Sequence, residues 1–310
     1  IRGGETMSED IIKIKNLTKD YGQGRGIFDM NLSVQKNEVF GFIGTNGSGK
    51  TTTIRNLMGF IKPDNGKSSV NGLNSWEASA TIMQNVSYVP GEIAFPSFAT
   101  GTDFLKSQAD YLGVKDFSYM NHIIELLQLD PTANLKRMSK GMKQKTAIVA
   151  ALMGKKEILV LDEPTTGLDP LMRDSFLELI QEEKSQGHTI FMSSHIFEEI
   201  EQVCDKVAMI KDGHIINTLS LYDLRHPTEK HFIIEFADIE GKQIFLTHFN
   251  KIVLNESENS LEVRLPLGEI NHLLFSVKDC HITNFQERHL SLQKYFMNTY
   301  KKEGHKYGEN

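Results

Sequence analysis

Short apolar runs alternate with amphipathic stretches along most of the chain. Val39–Ile43 and Ile158–Glu163 are mainly apolar and have the length of buried strands. Thr189–Ser194, with three apolar residues at its centre, is a further predicted strand. Thr52–Met58 and Leu171–Lys184 have the apolar spacing and length of helices. The pattern therefore predicts an α/β fold in which strands and helices follow one another.

A stretch of helical character interrupts this alternation after Val86–Pro90, a predicted strand that Pro90 and Gly91 bring to an end. Thr102–Leu112 and Met120–Leu129 both carry apolar residues at helical spacing. We therefore predict a helical subdomain over about residues 91–154, inserted between two strands of the core.

The pattern changes again after about residue 226. We predict a small α+β accessory domain over residues 227–300, following a first domain over residues 7–226. The expected elements of the accessory domain are the strands Phe232–Phe236, Leu261–Leu265 and Ile282–Phe285 and the helices Glu269–Phe275 and Ser291–Met297. We expect residues 1–6, ahead of Met7, to be a vector-derived remnant, and residues 301–310 to be a disordered tail.

The composition adds limits to this picture. A chain of 310 residues exceeds what one compact core usually holds, which favours two domains. The net charge of −6 gives no reason to expect nucleic acid as a partner. The two cysteines, far apart in the chain, indicate a reducing, cytoplasmic location. No apolar run approaches the roughly 18 residues that span a bilayer, so any membrane role is expected to come through a partner.

The most informative stretch is Gly44–Thr51, which fits the phosphate-loop pattern G-x-x-x-x-G-K-[ST] between a predicted strand and a predicted helix. The alternative is an ordinary glycine-rich turn, but the flanking elements favour a nucleotide site. Lys50 would contact the β- and γ-phosphates, and the Thr51 hydroxyl would ligate Mg²⁺. The residues expected to bind nucleotide here are Gly44, Thr45, Asn46, Gly47, Ser48, Gly49, Lys50, Thr51 and Thr52.

Asp162 and Glu163 end one of the apolar strands. Neighbouring strand residues point to opposite faces, so the two carboxylates are expected to do different work. One can hold Mg²⁺, and the other can face the attacking water as a base. His195 follows another strand and can reach the same crevice, although most histidines are surface or packing residues.

Ser139 is a good N-cap for a helix whose first turn is rich in small and basic residues. Such a helix start can bind a phosphate, but an ordinary capped amphipathic helix explains the pattern equally well by itself. Tyr21 is similarly open, because an exposed aromatic can stack on a purine or simply pack at the surface.

Together these motifs resemble those of ATP-binding-cassette (ABC) ATPases, in particular the nucleotide-binding subunits of ABC-2-type, bacitracin- and multidrug-exporter-like transporters. The resemblance covers about residues 11–224. It implies a RecA-like α/β core with an antiparallel β subdomain and a helical subdomain. The matching motifs are Walker A at Gly44–Thr51, Walker B at Ile158–Glu163, the signature at Met138–Lys145, the D-loop at Gly167–Asp169, the switch histidine His195 and the base-stacking Tyr21.

The resemblance implies roles for these residues. Glu163 would be the catalytic base, Asp162 a Mg²⁺ ligand and His195 a catalytic partner. Two such cassettes dimerise head to tail, and each ATP lies between Walker A of one and the signature of the other. The residues that would contact ATP of the opposite subunit are Ser139, Lys140, Gly141, Met142 and Asp169.

The sequence departs from the family pattern in two places. The signature usually begins Leu-Ser-Gly-Gly, and here Met138 and Lys140 replace its first and third residues. Where the Q-loop normally has Gln, this chain has Gly91 followed by Glu92. Glu92 is therefore expected to take the Mg²⁺ contact, unless a water occupies that place.

We therefore expect an ATP-hydrolysing subunit that uses ATP and Mg²⁺, forms a dimer, most simply a homodimer, and drives a separate ABC-2-type permease from the cytoplasmic face of the membrane. The permease would export a drug, peptide or lipid-like compound. A soluble ABC-type ATPase acting on ribosomes or DNA is the alternative, and a phosphate-loop kinase is disfavoured by the signature helix and His195. The transported compound cannot be deduced from this sequence, because its site would lie in the permease.

Overall fold

A computed structural model describes residues 9–278, 280–288 and 291–297 of the chain. These residues form two units: one runs to Leu221 and also includes Phe296 and Met297, and the other is Tyr222–Tyr295. The expected remnant and tail, residues 1–6 and 301–310, lie outside the described residues.

The first unit contains a four-stranded antiparallel sheet in the order β2-β1-β4-β5. Along β1, Ile11, Ile12, Ile14 and Leu17 are buried, whereas Lys13, Lys15 and Asn16 are exposed, so that the strand has one side in the core and one toward solvent. Its strands are β1 (Asp10–Asp20), β2 (Gly26–Gln35), β4 (Asn65–Val70) and β5 (Leu73–Asn74).

A second sheet of six strands has the order β10-β9-β3-β8-β7-β6 and is parallel except for β10. Its central strands β3, β7 and β8 are buried throughout, which explains their continuous apolar runs. The strands are β3 (Val39–Ile43), β6 (Val86–Val89), β7 (Ile158–Asp162), β8 (Thr189–Ser194), β9 (Lys206–Lys211) and β10 (His214–Ser220).

Helices connect the strands of the first unit, and side chains of both sheets and of the first helix share one hydrophobic core. The helices are α1 (Lys50–Leu57), α2 (Ser79–Asn85), α3 (Gly101–Leu112), α4 (Ser118–Leu126), α5 (Lys140–Leu152), α6 (Pro170–Ser185) and α7 (Phe197–Val203). The next helix, α8 (Leu221–Arg225), begins at the residue where the first unit ends and belongs otherwise to the second unit. A short 3-10 turn, Leu135–Arg137, precedes α5.

The predicted helical stretch between β6 and β7 is confirmed as α3, α4 and α5. A capping box starts α3, in which the Thr100 hydroxyl accepts from the Asp103 N–H and the Asp103 carboxylate accepts from the Thr100 N–H. Gly113 in the left-handed region ends the helix.

The second unit is built on a four-stranded antiparallel sheet in the order β12-β13-β11-β14. The three predicted strands are confirmed, whereas one helix and one edge strand were not predicted. The elements are β11 (Glu229–Phe236), α9 (Ile239–Phe249), β12 (Val253–Glu256), β13 (Ser260–Pro266), α10 (Ile270–Ser276) and β14 (Ile282–Glu287), with 3-10 turns at Asn250–Ile252 and Leu267–Glu269. Residues 292–297 are helical, as predicted.

A separate hydrophobic core holds this second unit together. Phe232, Ile234 and Phe236 point inward from alternate positions of β11, as expected for a strand with one buried face. Phe245 on α9 packs edge-on against Phe236, with ring centroids 5.7 Å apart. None of the helices that the structure describes is long and apolar enough to cross a membrane.

Candidate functional site

The strand order brings the predicted motifs to one edge of the parallel sheet. β8 lies between β3 and β7, and β6 lies beyond β7. Since parallel strands end at the same edge, the phosphate loop after β3, His195 after β8 and the carboxylates after β7 become neighbours. Gly91 and Glu92 join them from the end of β6.

The phosphate loop is held in place by close packing around its glycines. A Cβ on Gly49, where φ is 112°, would lie 2.7 Å from Ile27 Cγ2. A Cβ on Gly44 would lie 2.5 Å from the Ile210 carbonyl oxygen. No side chain caps α1, so the N–H groups of its first turn point into the loop with the positive end of the helix dipole. This arrangement is suited to binding an anion.

Lys50 is almost fully buried at the start of α1. Its ammonium donates to the carbonyl oxygens of Gly44, at 2.8 Å, and Thr45, at 3.2 Å. It also lies 3.1 Å from Glu163 Oε1. The lysine charge is therefore fixed at the mouth of the phosphate loop and is shared with the carboxylate after β7.

Glu163 lies one residue beyond β7, which ends at Asp162 rather than at Glu163 as predicted. Its φ of 47° is uncommon for a residue with a side chain and turns the carboxylate out of the strand direction. Its Oε2 lies 3.2 Å from His195 Nδ1 and accepts from Thr166 Oγ1 at 3.3 Å.

Burial would raise the pKa of Glu163, but the Lys50 ammonium, His195 and Thr166 outweigh this and lower it from its ordinary value. The carboxylate is therefore ionised at neutral pH and can accept a proton or a hydrogen bond from water.

Asp162 has a different environment, because it is fully buried at the end of β7. Its Oδ1 accepts from Ser193 Oγ at 2.7 Å, whereas its Oδ2 has no hydrogen-bond partner among the described residues. Burial raises the pKa of Asp162, and the Ser193 and Thr51 hydroxyls counteract it. A buried carboxylate oxygen left unpaired beside a hydroxyl fits a hard divalent cation, which prefers oxygen ligands.

A cavity of about 600 Å³ opens over the phosphate loop. Tyr21 lies in its wall with 48% of its surface exposed, so that its ring is free to stack on a flat ligand. Glu92, the residue expected to contact Mg²⁺, lines the same cavity. The remaining wall is formed by Gly24, Arg25, Gly26, Asn46, Gly47, Gly49, Lys50, Thr51, Thr52, Arg55, Gly91, Glu163, Asp212 and Gly213.

The predicted signature residues lie outside this cavity and beside the D-loop instead. Ser139 is the N-cap of α5, and its Oγ accepts from the Met142 N–H at 3.2 Å. A Cβ on Gly141 would lie 2.7 Å from the Gly167 carbonyl oxygen, so the helix start packs closely on the D-loop. Asp169 caps α6 by accepting from the Met172 N–H at 3.0 Å. The five signature and D-loop residues expected to contact nucleotide, Ser139, Lys140, Gly141, Met142 and Asp169, are all absent from the cavity wall.

The two signature departures have structural explanations. Met138 is buried and accepts a hydrogen bond from Thr146 Oγ1 at its sulfur, 3.5 Å away, so it fills the apolar role of the usual leucine. Lys140 is exposed and its aliphatic stem lies next to Gly167. Neither change disturbs the cap at Ser139.

Sequence reasoning missed several residues around the site. Ser193, which joins Asp162 to the Glu163 backbone, has no sequence signal beyond a pair of hydroxyl residues, Ser193 and Ser194, after three apolar residues of the strand. The Asp212–Gly213 turn contacts the phosphate loop through a hydrogen bond of 2.9 Å from the Gly213 N–H to the Ser48 carbonyl oxygen, and this contact has no local sequence signal.

Comparison with known proteins agrees with this geometry. The ABC transporter family model matches residues 27–166. The bacitracin transport ATP-binding protein BcrA of Bacillus licheniformis is 34% identical over 77% of this chain and 80% of its own length. The linearmycin resistance ATP-binding protein LnrL of Bacillus subtilis is 29% identical over 93% and 97%, respectively. A solved ATP-binding subunit of an ABC transporter is 29% identical, with a TM-score of 0.62 over 70% of this chain and 92% of that chain. The chain therefore belongs to the ABC transporter family, as one of its ATP-binding, ATP-hydrolysing proteins.

Proposed function

We propose that this chain hydrolyses ATP to drive a separate permease that exports a drug, peptide or lipid-like compound from a bacterium. The observation that carries the proposal is the meeting of Lys50, Asp162 and Glu163 at one sheet edge below the cavity. The relatives named for bacitracin transport and linearmycin resistance support the proposed class of compound.

Different residues around the cavity would bind the phosphates and the adenine of ATP. The Lys50 ammonium and the N–H groups at the start of α1 would hold the β- and γ-phosphates, with the loop residues Gly44–Thr52 around them. The exposed Tyr21 ring would stack on the adenine.

Three oxygen-bearing side chains would hold Mg²⁺: Asp162 through its unpaired Oδ2, Thr51 through its hydroxyl, and Glu92 in place of the Q-loop glutamine. Bound there, Mg²⁺ would neutralise charge on the phosphates. Gly91, the residue before Glu92, leaves the space beside Asp162 Oδ2 open for the ion, since a Cβ on Gly91 would lie only 3.0 Å from that oxygen.

Glu163 would act as the general base, because its ionised carboxylate can take a proton from the attacking water. His195 would orient that carboxylate and donate to the γ-phosphate once Glu163 turns toward water. Both side chains are partly exposed, His195 by 43% and Glu163 by 22%, so a water can reach them.

Ser139, Lys140, Gly141, Met142 and Asp169 would complete the site of a second subunit, most simply a second copy of this chain. These residues are not in the cavity wall of their own chain, and Ser139 and Lys140 are exposed, which leaves them available to a second copy. Each ATP would then lie between the phosphate loop of one copy and the α5 N-terminus of the other.

The domain division that we propose is a nucleotide-binding domain over 7–226, with its helical subdomain at about 91–154, and an accessory domain over 227–300. The helical subdomain would contact an ABC-2-type permease, which would hold this chain at the cytoplasmic face of the plasma membrane. The accessory domain would stabilise the dimer or regulate it.

Co-purification tests the proposal. Glu163→Gln, which we expect to favour the ATP-bound dimer, should retain a multi-spanning membrane protein in detergent when Mg²⁺ and ATP are present. Recovery of ribosomes or DNA in place of a membrane protein would favour the alternative of a soluble ATPase acting on nucleic acid, which the net charge of −6 does not support.

A further inference from the structure

A second buried carboxylate lies behind the site, outside the cavity wall. Glu199, on α7, is only 3% exposed. Its Oε2 accepts hydrogen bonds from Thr165 Oγ1 at 2.9 Å and from Ser194 Oγ at 2.8 Å. One carboxylate oxygen thus joins two segments that are distant in the chain.

The two segments are those that carry the reacting side chains. Thr165 follows Glu163 by two residues, and Ser194 immediately precedes His195. Ser194 Oγ also accepts from the Ile196 N–H at 2.9 Å, which fixes the backbone on the other side of the histidine. The distance between Glu163 and His195 therefore depends on how Thr165 and Ser194 are held.

A third segment is linked to Glu199 through charge. Burial is the largest influence on the pKa of Glu199 and raises it. The charge of the nearby Arg173 guanidinium acts in the opposite direction and favours the ionised carboxylate. The Arg173 Nε donates to the Leu168 carbonyl oxygen at 3.1 Å. Leu168 is the middle residue of the D-loop, so three loops of the site converge on the surroundings of Glu199.

Stability alone is a poor explanation for this residue. Glu199 Oε1 is buried without a hydrogen-bond partner among the described residues, and a buried polar atom in that condition costs free energy. Ile200 and Val203 already anchor α7 through apolar contacts. The helix is therefore held in place without the Glu199 carboxylate.

We propose that Glu199 is a positioning residue for ATP hydrolysis, which holds Thr165 and Ser194 together and so sets the geometry of Glu163 and His195. The inference rests on the proposed roles of those two side chains. Glu199 does not touch the reacting atoms; it acts through two hydroxyl hydrogen bonds and the segments attached to them.

The test compares steady-state ATPase kinetics, ATP binding and thermal unfolding of the full chain. Glu199→Leu removes both hydrogen bonds and should lower kcat about tenfold to a hundredfold, because small misplacements of reacting groups have effects of this size. KM and ATP affinity should change little, whereas Tm should fall, because the buried Thr165 and Ser194 hydroxyls lose their acceptor. Glu199→Gln keeps an oxygen that accepts from both hydroxyls and should restore most of kcat. Glu198→Leu, which changes an exposed carboxylate on the same helix, is the matched control and should match the wild type.

Thr165→Val and Ser194→Ala provide the same test by removing one hydrogen bond each, should Glu199→Leu fail to fold. Each should lower kcat below the wild-type value. Where Glu199→Leu does fold, each should lower kcat by less than Glu199→Leu does, and combining them with Glu199→Leu should add little, because residues of one network act non-additively. Wild-type kcat in these variants and in Glu199→Leu would overturn the inference.

A parallel Glu163→Gln measurement separates the two proposals. If Glu163→Gln loses hydrolysis while Glu199→Leu keeps wild-type kcat, the inference about Glu199 fails and the proposed function stands. If Glu163→Gln keeps wild-type turnover, the assignment of the base itself fails.

Discussion

Lys50 and Glu163 form an ion pair, with 3.1 Å between the lysine Nζ and the carboxylate Oε1. The other carboxylate oxygen, Oε2, lies 3.2 Å from His195 Nδ1. One carboxylate thus connects the phosphate loop after β3 with the histidine after β8. Lys50, which we assign to the phosphates, thus lies within hydrogen-bonding distance of Glu163, which we assign to the attacking water. The residues for ATP binding and for hydrolysis therefore form one cluster.

Glu163→Gln should keep ATP binding and lower the hydrolysis rate by about two to four orders of magnitude, the range that a general base contributes. The amide can accept a hydrogen bond but cannot take up a proton at neutral pH. Phosphate release measured beside a direct ATP-binding titration checks both parts. Unchanged turnover would show that another group is the base.

Lys50→Ala should weaken ATP binding itself. The substitution removes the ammonium charge that we assign to the phosphates. The carbonyl oxygens of Gly44 and Thr45 fix this charge in the phosphate loop. Calorimetric titration with a non-hydrolysable ATP analogue measures the loss. Lys67→Ala, at a surface lysine on β4, provides the control and should bind as the wild type does.

Asp162→Asn should remove most of the Mg²⁺ dependence of ATP binding, because the unpaired Oδ2 becomes a neutral group. Titrations with ATP in Mg²⁺ and in EDTA measure this dependence in the variant and in the wild type. An undiminished difference between the two titrations would place the Mg²⁺ ligand elsewhere.

Gly49→Ala and Gly47→Ala should differ in their effects on Tm and ATP affinity, because other residues pack closely around Gly49 but not around Gly47. At Gly47, where φ is 80°, no atom lies within 4 Å of an added Cβ, so the cost is backbone strain of about 1–2 kcal/mol. At Gly49 the added Cβ would also meet Ile27 Cγ2 at 2.7 Å. Gly49→Ala should therefore lower Tm and ATP affinity further than Gly47→Ala. Equal effects would contradict the packing of the loop against β2.

Phe245→Ala should destabilise the second unit by about 3–5 kcal/mol, because the ring is buried in its core. Phe275, with 71% of its surface exposed, provides the matched control, and Phe275→Ala should cost less than about 0.5 kcal/mol. Calorimetric unfolding of the full chain measures both. Equal losses in the two variants would contradict the assignment of Phe245 to the core.

Much of the fold could be predicted because its signals are local. β3 and β8 have the predicted bounds, since each is a fully buried run between turn residues. By contrast α9 was missed, and Gly241 near its start weakens the helical pattern. Its stability comes from packing of Phe245 and Phe249 against the sheet, which a local pattern does not show.

The same limit applies to the site. The phosphate loop and the Asp162–Glu163 pair lie in compact motifs and were identified from spacing. Glu199 was not, because its partners Thr165 and Ser194 are 34 and 5 residues away along the chain. Only the folded sheet shows that one buried carboxylate connects both loops.

Whether a second copy completes the site of each chain can be measured by mixing two inactive variants. Lys50→Ala chains lack the phosphate-loop charge, and Ser139→Phe chains carry a bulky group at the exposed N-cap of α5. Each variant alone should be inactive. In a one-to-one mixture with random pairing, about half of the dimers are mixed, and each mixed dimer has one of its two sites intact. If the two sites work independently, the ATPase rate should therefore reach about a quarter of the wild-type rate.

A site shared between two copies should therefore recover activity in the mixture. If Ser139→Phe alone hydrolyses ATP at the wild-type rate, or if the mixture shows only the average of the two separate rates, the site is complete within one chain and no second copy is needed.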